Sequence, residues 1–260
     1  MKLHSIVLML VPVAFLFSSA TLHSQSLKGL IKKKTGDSAT TSSKLNQAMQ
    51  SLGLGGNKGS LTATEVANGL KEALEKGAIK GTERLCAMDG FLANAAVKIL
   101  MPPEARKVEE TLRKFGLGSQ VDQAITSMNR AAEDAAKSAA PIFVNAIKSM
   151  TIEDAFGILL GGDTAATAFL RRQTTTPLTE AFRPVIETSL GKVDATKYWN
   201  TVFSTYNRFS QEKVNTDLPA WVTERALSGI FLQLAQEEAE IRKNPAARTS
   251  ELLKKVFGSK

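Results

Sequence analysis

The 260-residue sequence reads as an all-α protein, a compact multi-helix bundle of about eight or nine helices. Three observations lead there. From Leu61 onward apolar residues recur at helical spacing, as in Val66, Leu70, Ala73 and Leu74. Helix-opening residues and helix-stopping glycines or prolines interrupt that spacing at short intervals. No stretch alternates convincingly with the two-residue period of a strand.

The elements follow in order. Thr62 and Glu65 have the spacing of a capping box and open a helix running to about Cys86. Asp89-Gly90 marks a turn, and residues 91–100 read either as a short helix or as an irregular apolar segment. Pro102 and Pro103 break the chain. Pro103 suits the first turn of a helix reaching Phe115, which Gly116 and Gly118 stop. Ser119 is expected to cap a helix with Val121, Ala124, Ile125, Met128 and Ala132 turned inward. Pro141 starts or kinks a piece from Ile142 to Met150. Thr151 opens Ile152 to Leu160, closed by Gly161-Gly162. Asp163 is expected as the N-cap of a helix ending near Gln173. Pro177 is expected to begin another, kinked at Pro184 and ending at Gly191. Asp194 caps a helix through Phe209, and Asp217 with Pro219 starts the longest one, to about Lys243. A short helix over Ser250 to Phe257 closes the chain.

The beginning of the chain has the pattern of an export signal over residues 1–20. Lys2 precedes an apolar run from Ile6 to Phe17, too short for the roughly 20 residues a membrane span needs. Small residues allow cleavage after Ala20 or, alternatively, after Ser24; an uncleaved anchor is the other reading. Residues 21–60 look like a flexible basic linker rich in Gly, Ser and Thr. They hold Lys28, Lys32, Lys33, Lys34, Lys44 and Lys58 against Asp37, so much of the net charge of +8 lies there and residues 61–260 are nearly neutral. Leu27, Leu30 and Ile31 among those lysines suggest weak contact with an anionic membrane surface; a solvated tail is the plainer reading. The leader and the lack of a basic stripe with aromatics in the folded part argue against nucleic-acid binding.

Both histidines, His4 and His23, precede Ser24. The all-helical domain over 61–260 thus has no imidazole. Ser-His-Asp and Cys-His catalysis are excluded, as are the Glu-x-x-His pairs of di-iron bundles and the paired histidines of a zinc helix. Carboxylate pairs and lysine chemistry remain open. The single Cys86 cannot form an internal disulfide and reads as a small buried residue.

Several segments resemble a known family. These are Asp89-Gly-Phe-Leu-Ala-Asn-Ala-Ala-Val-Lys-Ile99, Ser127-Met-Asn-Arg-Ala-Ala-Glu133 and Met150-Thr-Ile-Glu-Asp-Ala155. Gly157-Ile-Leu-Leu-Gly-Gly-Asp-Thr-Ala-Ala-Thr167 and Leu252-Leu-Lys-Lys-Val-Phe-Gly258 complete the set. Together they resemble the domain of unknown function family 4197, over Leu61 to Gly258. The resemblance implies an exported bacterial helical domain and brings no catalytic residues with it. Leu100-Met101-Pro102-Pro103 departs from the family's apolar-Pro-Leu-Pro segment.

The polar candidates for a binding site are Asp89, Asn129, Arg130, Asp163, Arg171 and Arg172, with Phe91 as an aromatic plug. Asn129 and Glu133 share a helix face, and Arg130 pairs naturally with Glu133 three residues on. Arg130 is the kind of group that recognises a carboxylate or phosphate. Arg171 and Arg172 point about 100° apart, so one can pair internally while the other faces water. Trp199, Phe203 and Tyr206 form a stripe expected to be core. Glu237, Glu238 and Glu240 read as a solvated face with a Glu238–Arg242 pair. No catalytic residue, metal ligand or cofactor is called for. The expected function is an exported, non-enzymatic module that binds a partner protein or envelope component. A carrier of an apolar ligand such as a lipid or fatty acid is the alternative. A carboxylate- or lysine-based enzyme comes third.

Overall fold

Local capping signals and long buried stripes decide where each helix starts and stops. The computed structural model describes residues 37–51, 61–192, 195–209 and 216–244, with single positions 211, 213 and 254. Contacts divide the chain into Met1–Thr41 and Ser42–Lys260. Of the first unit only residues 37–41, the opening of a helix, are described. The expected leader, most of the linker, Asp194 and nearly all of the expected C-terminal helix lie outside the described residues.

One part of the expected linker is helical. Helix α1 (Asp37–Ser51) contains neither Gly nor Pro, and Leu45, Ala48 and Met49 recur on one face that packs against the core. The Ser- and Thr-rich composition concealed that spacing. Helix α2 (Ala63–Cys86) opens with both halves of the Thr62–Glu65 capping box in place. Residues 87–102 are irregular, and a 3-10 turn over Pro103–Ala105 leads into α3 (Arg106–Lys114). Gly116, at φ 80°, ends that helix in the left-handed region.

Helix α4 (Gly118–Ala136) does not use Ser119 as a cap. Its N-cap is Leu117, and the Ser119 hydroxyl bonds the Gln120 side chain instead. Helices α5 (Ala139–Lys148) and α6 (Ile152–Leu160) follow. The second is capped by Thr151, with Asp154 completing a capping box. The two helices expected on either side of Pro177 are one, α7 (Ala165–Gly191), with Pro177 and Pro184 inside it. Leu170, Thr174, Leu178, Phe182, Ile186 and Leu190 lie four residues apart and are all buried. Burying each large apolar member contributes about 1.5–3 kcal/mol. Collectively that outweighs the roughly 3 kcal/mol cost of each interior proline.

Helix α8 (Ala195–Phe209) buries Trp199 and Phe203 with ring centres 4.2 Å apart, as the aromatic stripe suggested. Helix α9 (Leu218–Lys243) starts where Asp217 accepts the Ala220 N–H. Helix α7 packs most extensively on α4 and α9, and α2 lies along α9 and α5. Helix α3 sits outside this centre, chiefly against α4, with no fully buried residue. The architecture is all-α, with no strand among the described residues. No described helix is long and apolar enough to cross a membrane.

Candidate functional site

The polar face of α4 is turned onto the irregular segment 87–102. Asn129 is fully buried. Its Oδ1 accepts the Ile99 N–H at 2.8 Å, and its Nδ2 donates to the Ile99 and Ile125 carbonyls, also at 2.8 Å. One turn further, buried Glu133 accepts the N–H groups of Phe91 at 3.1 Å and Leu92 at 3.2 Å through Oε1. Its Oε2 takes Arg130 Nη1 at 2.6 Å, and Arg130 Nη2 reaches Asp89 at 2.7 Å. The bond to Glu133, and then that to Asp89, hold the Arg130 guanidinium above its ordinary pKa.

This clip suits a tight turn. Asp89 is the described non-glycine residue with positive φ, 67°. A Cβ at Gly90 would stand 2.4 Å from the Arg84 carbonyl oxygen, so only glycine fits the approach to the end of α2. The turn drives Phe91 fully into the core, where its ring edge would be 2.8 Å from a Cβ at Gly229 of α9. Asp89, Phe91, Asn129 and Arg130 therefore belong to one constellation, completed by Glu133. Its backbone contacts satisfy a segment that has no ladder or helix of its own.

The other three candidates make their contacts elsewhere. Asp163 does not cap α7: the N-cap is Thr164, without a side-chain cap bond. Asp163 is exposed, with an oxygen 3.4 Å from Lys243 Nζ. Arg171 lies over the Phe231 ring at 4.4 Å, and Arg172 faces solvent.

The N-terminus of α7 is satisfied from a distance. Glu238 of α9 accepts the Ala166 N–H at 3.0 Å and both the N–H and hydroxyl of Thr167 at 2.8 Å. Arg242 braces the same carboxylate and donates to the Ile158 carbonyl at 3.0 Å. A carboxylate at this position also complements the helix dipole. The expectation of a solvated glutamate face is thus corrected. Glu238 is buried. So is Glu237, which meets Lys80, Arg84 and Gln233. Glu238 falls four residues after Leu234 and eight after Ile230, on the buried stripe, a spacing visible in the sequence. The Glu238–Arg242 pair itself is present.

The carboxyls of Asp134 and Asp217 are shifted from their ordinary values. The Lys137 bond, followed by that of Ser189, holds Asp134 below its ordinary value against burial. Burial pushes Asp217 up, but Arg183 and the Ala220 N–H together outweigh it and hold it down. Arg183 and Asp217 line an open groove of about 520 Å³ with Glu187, Asn200 and Thr216. Between α2, α7 and α9 lies a hollow of about 20 Å³, room for about one water. Cys86 is half-buried, with its thiol 3.5 Å from the Glu83 carbonyl. Among the described residues no three His, Cys, Asp or Glu side chains are grouped to hold a metal ion.

The family model described as "Protein of unknown function (DUF4197)" matches residues 60–258. No curated protein and no solved structure matches the chain.

Proposed function

The chain belongs to the DUF4197 family, and from that premise we propose that it is an exported, non-enzymatic helical module that binds a partner protein or envelope component. The single observation that carries the reading is how the polar groups of the two buried clusters are used. Asp89, Asn129, Arg130, Glu133 and Glu238 engage one another or the protein's own backbone. Meanwhile Met88, Leu100 and Phe115, large apolar side chains, face solvent. The chemistry on offer at the surface is adhesion rather than bond-breaking. Export rests on the leader pattern of residues 1–20.

Site-specific photo-crosslinking in cells tests this. A crosslinker placed at Met88, Leu100 or Phe115 should capture an envelope protein or lipid. A crosslinker at Arg172, a polar exposed position, should capture less. Recovery of the chain only from the cytoplasm would contradict the proposal. So would a turnover abolished by substituting one of the clip residues while the fold persists.

A further inference from the structure

The corner between α3 and α4 carries two exposed large apolar side chains within three residues. Phe115 is 78% exposed and Leu117 40%, on either side of Gly116. Nothing lies within 4 Å of where a Gly116 Cβ would stand, so the turn projects into open space. Two large apolar side chains held out side by side offer a small apolar contact.

Charge says what that contact is. On the inner side of α3, Val108, Glu109 and Leu112 are half-buried, and Arg113 is neutralised by Glu109 and Asp122 at 3.0 and 2.8 Å. The outer side carries Arg106, Lys107 and Lys114 against Glu110 and the preceding Glu104, a net positive set, all exposed and outside the ion pairs of the described residues. Lys107 and Lys114 lie seven residues apart and share a face. Lys114 adjoins Phe115. A narrow apolar tip with a cationic flank is the pattern of an interfacial anchor, whose apolar groups enter the headgroup boundary while its cations meet lipid phosphates.

We infer that the Phe115–Leu117 tip and the outer face of α3 dock on an anionic lipid surface. This rests on the reading that the chain acts at the envelope and names the component. Helix α3 suits the role because it packs chiefly on α4 and its outer residues are exposed.

The test is vesicle sedimentation of the chain as cells produce it, with all variants sharing the same N-terminus. Vesicles are phosphatidylcholine alone or mixed with phosphatidylglycerol. Binding should require the anionic lipid and fall with salt. K107E/K114E should lower the partition coefficient by about tenfold or more. F115S/L117S should lower it comparably without changing the salt slope. Both should melt like the parent, since the altered side chains are exposed. F115W should show a blue-shifted emission component, absent from the parent, on anionic vesicles. Tip variants that bind like the parent, or an F115W emission that does not move, would overturn the inference. If K32E/K33E/K34E abolished binding while tip variants did not, the tip inference would fail and the envelope reading would stand. Envelope recovery and protein crosslinks without vesicle binding would likewise overturn the tip inference and leave the envelope reading in place. Recovery from the cytoplasm alone would sink the reading beneath it.

Discussion

Glu133 on α4 and Glu238 on α9 are built to one plan and embedded in different ways. Each is buried, accepts two consecutive backbone N–H groups from a distant segment, and is braced by an arginine on its own helix. Glu133 fastens an irregular turn. Its arginine, three residues earlier, is 38% exposed and reaches out to the exposed Asp89. Glu238 closes a helix N-terminus. Its arginine, four residues later, is 11% exposed and also satisfies the Ile158 carbonyl. The first clip borders solvent, where water can replace a lost partner. The second is sealed, so water cannot readily take a lost partner's place.

That contrast orders the consequences of substitution. Glu238→Ala should cost the most, about 3–5 kcal/mol, because it takes a buried carboxylate from Arg242 and leaves the Ala166 and Thr167 amides of the α7 N-terminus without their acceptor. Denaturant unfolding reads this directly. Arg242→Ala should follow at about 2–3 kcal/mol, the range of a lost charge-assisted hydrogen-bond set. Glu133→Ala should cost about 2 kcal/mol, through the unsatisfied N–H groups of Phe91 and Leu92, with Arg130 free to rehydrate. Arg130→Ala should cost about 1 kcal/mol, less than Arg242→Ala, because removing an arginine that is 38% exposed lets water reach the buried Glu133. A cost for Arg130→Ala equal to that of Arg242→Ala would erase the distinction between the clips.

Protonation of Asp134 and Asp217 should have the smallest effect. Asp134 and Asp217 both titrate below the ordinary aspartate value. Their contribution is therefore complete above the unfolded pKa and is lost as pH falls through the lower folded values. It should be slight, because both side chains remain more than a third exposed. Thermal melts across acid pH, compared with Asp134→Asn and Asp217→Asn, would show it.

What could be read in the sequence was mostly local. Thr62, Thr151 and Asp217 act on amides within their own first turn, so their signals survive without knowledge of the fold. The Asn129 face and the Arg130–Glu133 pair were visible from spacing, and the Asp89-Gly90 turn from composition. What they fasten was not visible, since Ile99 and Phe91 lie 30 and 42 residues from their partners. The α7 N-terminus shows the limit more sharply. Asp163 has the local form of a cap, yet the amides go to Glu238, 71 residues beyond Thr167. Pro177 misled for a related reason. A proline's local penalty is legible, whereas the buried stripe that overrides it draws its strength from α4 and α9. At the tip the sequence shows the Gly116 helix stop but not the exposure of Phe115, because exposure is a property of the packed bundle.

Amide hydrogen exchange on the native protein puts the two-clip description most directly at risk. The amides of Phe91 and Leu92 should lose protection in Glu133→Ala, which removes their acceptor, and keep it in Glu238→Ala. Those of Ala166 and Thr167 should do the reverse, under conditions where all three proteins remain folded. Unchanged protection at both pairs in both variants would contradict the assignment of these glutamates as clips and leave their carboxylates available for chemistry.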